Sequence, residues 1–219
     1  MKEITIPNSG KVTYYTSEDI ANEPNEQVKE FLNGIYNLIK HMSELLNIPC
    51  PYIGLSKAII LQNEYDGSIS EMAAMSYHAE DYPELDNSIV QLSLNLFEPD
   101  YMTGVIAHEL RHIYQKIYTP DLLTKYAQGY GESLYNPAEI DADAFGIWYL
   151  KTCPGGSYEK AASILCPEEL INDPKAVQLR IEKAKKIADE LEQQRIHQKS
   201  ILNKLKNYIY LKLGGKKHE

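Results

Sequence analysis

Residues 102–117 most constrain the fold. Met102, Val105, Ile106, Leu110, Ile113 and Ile117 recur at three- and four-residue steps. The segment from about Asp100 to Pro120 is therefore expected to be a helix with one apolar face. Embedded in it, "GVIAHELRHIYQ" (104–115) carries His108, Glu109 and His112 in the order His-Glu-x-x-His. At about 3.6 residues per turn the two histidines lie one above the other. Two imidazoles so placed can bind one Zn²⁺. Glu109, about one residue's rotation away, can reach a metal-bound water without ligating the metal. Arg111 falls roughly opposite the apolar stripe, so it is expected to face solvent and take no part in the chemistry.

Two histidines are too few, because a catalytic zinc usually has three protein ligands and one open position. A charged helix face is the rival explanation for the motif alone. The next helix is expected in "NPAEIDADAFGIWYLK" (136–151), with Asn136 as N-cap and Pro137 at the first helical position. Glu139 is the candidate third ligand. Asp143, four residues on, shares its face and is placed to hydrogen-bond the outer nitrogen of a ligand histidine, fixing its tautomer. Asp141 lies about half a turn away and should point elsewhere. Glu139 and Asp143, at the right order and helical phase, favour a metal site over a charged face.

HELRH (108–112) followed by E-x-x-A-D (139–143) resembles the zincin metallopeptidases of the gluzincin type. Within that group, "EIDADAFG" is most similar to the E-x-E-A-D-x-F-A segment of the ImmA/IrrE metallopeptidase family. The resemblance covers roughly residues 85–150, less than half the chain. It implies a zincin-like α+β domain in which one helix supplies the histidines and a second supplies the glutamate ligand and a bracing aspartate. It also implies an edge strand beside the metal, for which "SIVQLSLN" (88–95) is the candidate. The implied reaction is metal-assisted hydrolysis of a peptide bond, with Glu109 as general base. Relatives commonly add a donor to the developing oxyanion. Tyr126, Tyr130 and Tyr135, in the connection "YAQGYGESLYN" (126–136), are the candidates here.

Elsewhere, "EITI" and "KVTYY" look extended around Pro7–Gly10, and "NEQVKEFLNGIYNLIKHMSELLNI" reads as an amphipathic helix stopped by Pro51. Residues 58–62, 71–78 and 88–95 read as strands. In the last of these, Ile89, Gln91, Ser93 and Asn95 share one face and Val90, Leu92 and Leu94 the other. Pro154-Gly155-Gly156 breaks the Glu139 helix. After Pro174 a heptad-like seam (Val177, Ile181, Ala184, Ala188, Leu191, Arg195, Gln198, Leu202, Leu205, Ile209) fits one long helix, or two meeting near "QQRIHQK". His41 and His78 are taken as ordinary surface or packed residues.

Charge divides the chain. Residues 1–173 carry a balance of −16 and residues 174–219 a balance of +7, which together make the net −9. The expected division is a metallopeptidase domain over 1–173 and a basic helical C-terminal extension over 174–219. The extension has three readings: an apolar seam packed on the acidic body, self-association or a regulatory protein contact through 177–209, or adhesion to nucleic acid or anionic lipid through Lys199, Lys204, Lys206, Lys212, Lys216 and Lys217. Tyr208 and Tyr210 are too little aromatic interleaving for sequence-reading of nucleic acid. Cys50, Cys153 and Cys166 form no C-x-x-C pair, which argues against a disulfide scaffold or a Cys-type zinc site. With no apolar run like a signal peptide or a transmembrane segment, a soluble cytoplasmic protein is expected. The function expected is a zinc-dependent endopeptidase acting on a protein or peptide. The alternative is a non-catalytic zincin-fold interaction protein working through its basic helix.

Overall fold

A computed structural model of the chain describes residues 1–6, 10–62, 69–127, 134–166 and 172–212. The architecture is mixed α and β. β1 (Lys2–Ile6) and β2 (Gly10–Tyr15) form an antiparallel pair, followed by α1 (Ser17–Ala21) and α2 (Glu26–Leu46). β3 (Tyr52–Ser56), β4 (Ile59–Gln62), β5 (Ile69–Met72), β6 (Ala74–Tyr77) and β7 (Ile89–Ser93) come next. The rest is helical: α3 (Pro99–Tyr118), α4 (Pro120–Ala127), α5 (Pro137–Thr152), α6 (Tyr158–Leu165) and α7 (Pro174–Lys212). No helix among the described residues is long and apolar enough to cross a membrane.

The main sheet has the order β1-β2-β3-β7-β6, with β3 and β7 parallel and the other neighbours antiparallel. All five residues of β7 are buried because it lies inside the sheet and is covered on both faces. Val90 and Leu92 join the main helical core, while Ile89 joins a smaller cluster with Ile6, Val12, Tyr14, Tyr77 and Leu85. This is the face division expected from the sequence. The polar residues on the second face are satisfied there: the Tyr77 hydroxyl donates to Gln91 Oε1 at 2.8 Å, and Ser93 Oγ donates to Glu71 at 3.2 Å.

Several elements differ from the sequence expectation. β3 was not anticipated. Its Gly54 hides the strand pattern, yet a Cβ there would lie 3.1 Å from the Gln91 Cα, so the parallel neighbour leaves little room for a side chain. The single strand expected over 71–78 is two, split at Ala73: β5 pairs with β4 in a separate two-stranded sheet, and β6 is the edge of the main one. Asn47, in the left-handed region at φ 54°, ends α2 before Pro51 is reached. Pro120 does not only close α3, because it also opens α4 as that helix's first residue. Ser157 caps α6, with its side chain accepting from the Lys160 N–H.

α5 is the centre of the helical layer. Its buried residues include Ala142, Ala144, Phe145, Gly146, Ile147 and Leu150, so it is enclosed on nearly all sides rather than amphipathic. α3 and α7 both pack on it. α7 is one continuous helix, and its first half supplies Ala176, Ile181, Ala184 and Ile187 to the same core as α3 and α5. Residues 174–187, assigned from sequence to the extension, are thus part of that core. The side chains of residues 195–219 lie outside the described residues.

Candidate metal centre

Two well-capped helices deliver the site. α3 begins at Pro99, with the Glu98 side chain accepting from the Tyr101 N–H at 2.8 Å. α5 begins at Pro137, with the buried Asn136 side chain accepting from the Ala138 N–H at 3.0 Å. Gly104 pairs with Gly146, His108 with Asp143 and Gln115 with Ala138, so the two helices run antiparallel past one another. The backbones come close at the glycines, where a Cβ on Gly146 would stand 2.8 Å from the Gly104 carbonyl oxygen. That proximity lets side chains from both backbones meet one turn further along.

They meet at three atoms. His108 Nε2 and His112 Nε2 are 2.9 Å apart, and Glu139 Oε2 is 3.4 Å from the first and 3.5 Å from the second. Ligand atoms about 2.0–2.2 Å from a tetrahedral divalent metal are spaced about 3.3–3.6 Å from one another. The two histidine–glutamate spacings fall in that range, and the histidine pair is closer. His108, His112 and Glu139 form the only group among the described residues that could hold a metal ion. The histidine side chains are 16% and 13% exposed and Glu139 is 41% exposed, so the trio opens to solvent on the glutamate side.

Each histidine is held from behind. His108 Nδ1 meets Asp143 Oδ1 at 2.8 Å, as anticipated. His112 Nδ1 meets Gln115 Oε1 at 2.9 Å, a brace that was not anticipated. If each Nδ1 donates, both Nε2 lone pairs are free to ligate. Gln115 is itself fixed, because its amide donates to the Ala138 carbonyl at 2.9 Å and to Asp141 Oδ2 at 3.0 Å. Arg180 Nε donates to Asp143 Oδ2 at 2.7 Å. Gln115 could have been read from its place three residues after His112, on the same helical face. Arg180 had no comparable local signal.

Arg111 requires a correction. It does not face solvent: its guanidinium is bidentate to Asp141, with Nε to Oδ2 at 2.7 Å and Nη2 to Oδ1 at 3.2 Å, and its side chain is only 11% exposed. It also lies 4.2 Å from the Tyr114 ring centroid. The helical wheel gave the right direction, but α5 occupies that side. Asp141 points away from the ligand trio, as anticipated, into this ion pair and toward Lys183 at 3.1 Å.

The electrostatics follow from burial and pairing. For His108, burial favours the neutral ring, but hydrogen bonding to Asp143 and Glu139 outweighs it and raises the pKa well above the usual imidazole value. His112 is raised by the same contest, chiefly through Glu139. Glu139 would be raised by burial, yet the two histidines hold it well below the usual carboxylate range. Asp143 is likewise lowered against burial, by His108 and Arg180. The two Nε2 atoms, 2.9 Å apart, have room for one shared proton beside the Glu139 carboxylate, and a divalent cation can replace that proton.

Glu109 is 8% exposed on the turn that carries the histidines. Among the described residues, nothing hydrogen-bonds its carboxylate. Of the three oxyanion candidates, Tyr135 alone has a described side chain. Tyr135 is on the surface, with its hydroxyl donating to Asp173 Oδ2 at 2.8 Å. Tyr130 and the side chain of Tyr126 lie outside the described residues. Comparisons of the chain with protein-family models, curated proteins and solved structures found no match.

Proposed function

We propose that the chain is a zinc-dependent metalloendopeptidase, of the gluzincin kind its motifs resemble, hydrolysing a peptide bond in a protein substrate. The observation that carries this reading is the convergence of His108 Nε2, His112 Nε2 and a Glu139 oxygen, with the Glu109 charge acting on both histidines. Two imidazoles and a carboxylate are a donor set suited to zinc, and three protein ligands leave a position for water or substrate. Zinc held by His108, His112 and Glu139 would supply a Lewis acid for the scissile carbonyl and would lower the pKa of water to about 7. Glu109, with no ion pair to Lys or Arg among the described residues, accepts the proton of the attacking water and returns it to the leaving amine. Asp143 and Gln115 keep the imidazoles in the tautomer that presents Nε2. Glu139 cancels part of the cation's charge and leaves the site open on its exposed side.

The test pairs metal content with cleavage. Protein purified without added metal is expected to carry stoichiometric zinc, and Glu139→Ala is expected to lose it. Glu109→Gln is expected to retain zinc and lose hydrolysis of a denatured-protein substrate. Wild-type protein without zinc, or a Glu109→Gln variant that cleaves at the wild-type rate, overturns the proposal. A non-catalytic scaffold would bind zinc and cleave nothing in either form.

A further inference from the structure

Arg180 is the largest fully buried side chain among the described residues, at 2% exposure, and it comes from the C-terminal helix rather than from either ligand helix. A buried guanidinium is costly unless its donors are engaged. Here Nε donates to Asp143 Oδ2 at 2.7 Å, and Nη1 donates to the Leu134 carbonyl at 2.9 Å and the Ala176 carbonyl at 3.3 Å. Asp143 is thereby divided: one oxygen faces Arg180 and the other faces His108 Nδ1. Rotation of the carboxylate would break one bond or the other. Leu134 lies two residues before Asn136, the cap that starts the helix bearing Glu139. One side chain thus fixes the brace of a histidine ligand and the approach to the glutamate ligand.

We infer that Arg180 is a positioning residue of the metal centre, acting through Asp143 on His108, and that the first turns of α7 are an obligate part of the site. The inference rests on the metal reading above. A planar fork is required, since a lysine at this place presents a point charge that cannot hold Asp143 and the Leu134 carbonyl with the same geometry. Lys183, one turn on, is the natural contrast. It reaches Asp141 at 3.1 Å but is 39% exposed, and Asp141 already has Arg111. It sits at the end of the His112–Gln115–Asp141 chain without being needed to orient it.

The experiment measures Zn²⁺ affinity by competition with a chromophoric chelator, the visible absorption of the Co²⁺-substituted protein, and thermal melting in excess chelator. Arg180→Lys is expected to stay folded when metal-free, melting below wild type, and to bind Zn²⁺ about 10- to 100-fold more weakly with an altered Co²⁺ spectrum. Lys183→Met is expected to shift affinity less than about threefold. Because Arg180→Lys could simply misfold, Arg180→Gln is also measured alone and in an Asp143→Asn background. Acting through Asp143, it should weaken binding in the first case and add little in the second. Wild-type affinity and spectrum in folded Arg180→Lys overturn the inference, as does an equal loss from Arg180→Gln in both backgrounds. Either result leaves the metal reading standing. Wild-type protein that binds no Zn²⁺ overturns that reading, and this inference with it.

Discussion

Two Gly→Ala substitutions should change stability in opposite directions. Gly34 lies on the exposed side of α2, and a Cβ there would meet nothing within 4 Å. Gly146 lies inside α5, where a Cβ would stand 2.6 Å from Leu165 Cδ2 and 2.8 Å from the Gly104 carbonyl oxygen. Both changes gain the same helix propensity, about 0.8–1 kcal/mol. The leucine methyl can turn aside, but the Gly104 oxygen belongs to the α3 backbone one turn before His108. Restoring ordinary contact needs α3 and α5 to part by roughly 0.6 Å, and overpacking of this kind costs about 1–3 kcal/mol. Gly34→Ala should therefore stabilise by up to about 1 kcal/mol, and Gly146→Ala should be net destabilising by up to about 2 kcal/mol. The difference between the variants cancels propensity and isolates the packing cost, which corresponds to about 2–12 °C between their melting temperatures for a chain of this size. The same displacement exceeds the roughly 0.5 Å tolerance of a preorganised site, so Zn²⁺ affinity should fall in Gly146→Ala alone. Calorimetry and chelator competition on both proteins check this. If Gly146→Ala melts at or above Gly34→Ala, the close glycine contact is not what seats the two helices.

Arg111→Met leaves Asp141 buried with only Lys183 and Gln115, and removing one partner of a buried pair costs about 3–5 kcal/mol. Denaturant unfolding should show a loss near the lower figure, whereas a solvent-facing arginine would give under about 0.5 kcal/mol. The pH dependence should reverse with metal. In chelator, the raised His108 and His112 contribute stability that is complete below the unfolded imidazole value of about 6.5 and is lost as pH rises through their folded values. A metal requires neutral imidazoles, so the increment it adds should grow over the same interval. Melting temperatures from about pH 6 to about pH 8.5 should accordingly fall without metal, while the increment from saturating zinc rises; parallel slopes would sink the assignment.

What the sequence disclosed about this centre, and what it hid, divides along a physical line. His108 and His112 share a face by their four-residue spacing, as do Glu139 and Asp143, and helix geometry alone turns those spacings into directions. The face division of β7 was legible for the same reason, because alternation is a local property of a strand. Arg111 shows the limit. Its direction from the axis was right, but whether that direction is water or protein depends on α5, thirty residues away. Arg180 is further still from any local rule, since it flanks the α7 seam beside Ile181 and its partners at 134 and 143 are unrelated to it in spacing. β3 and α6 were missed for a related reason: one is a short strand containing a glycine that is meaningful only against Gln91, and the other lies just beyond a Pro-Gly-Gly break. The candidate ligand atoms are encoded by spacing within helices. The constraints that orient them (the Gly104–Gly146 approach, Gln115 on Ala138 and Arg180 on Asp143) are encoded by contacts between helices. Those inter-helix contacts, rather than the ligands, are therefore where substitutions should weaken the site without erasing its motif.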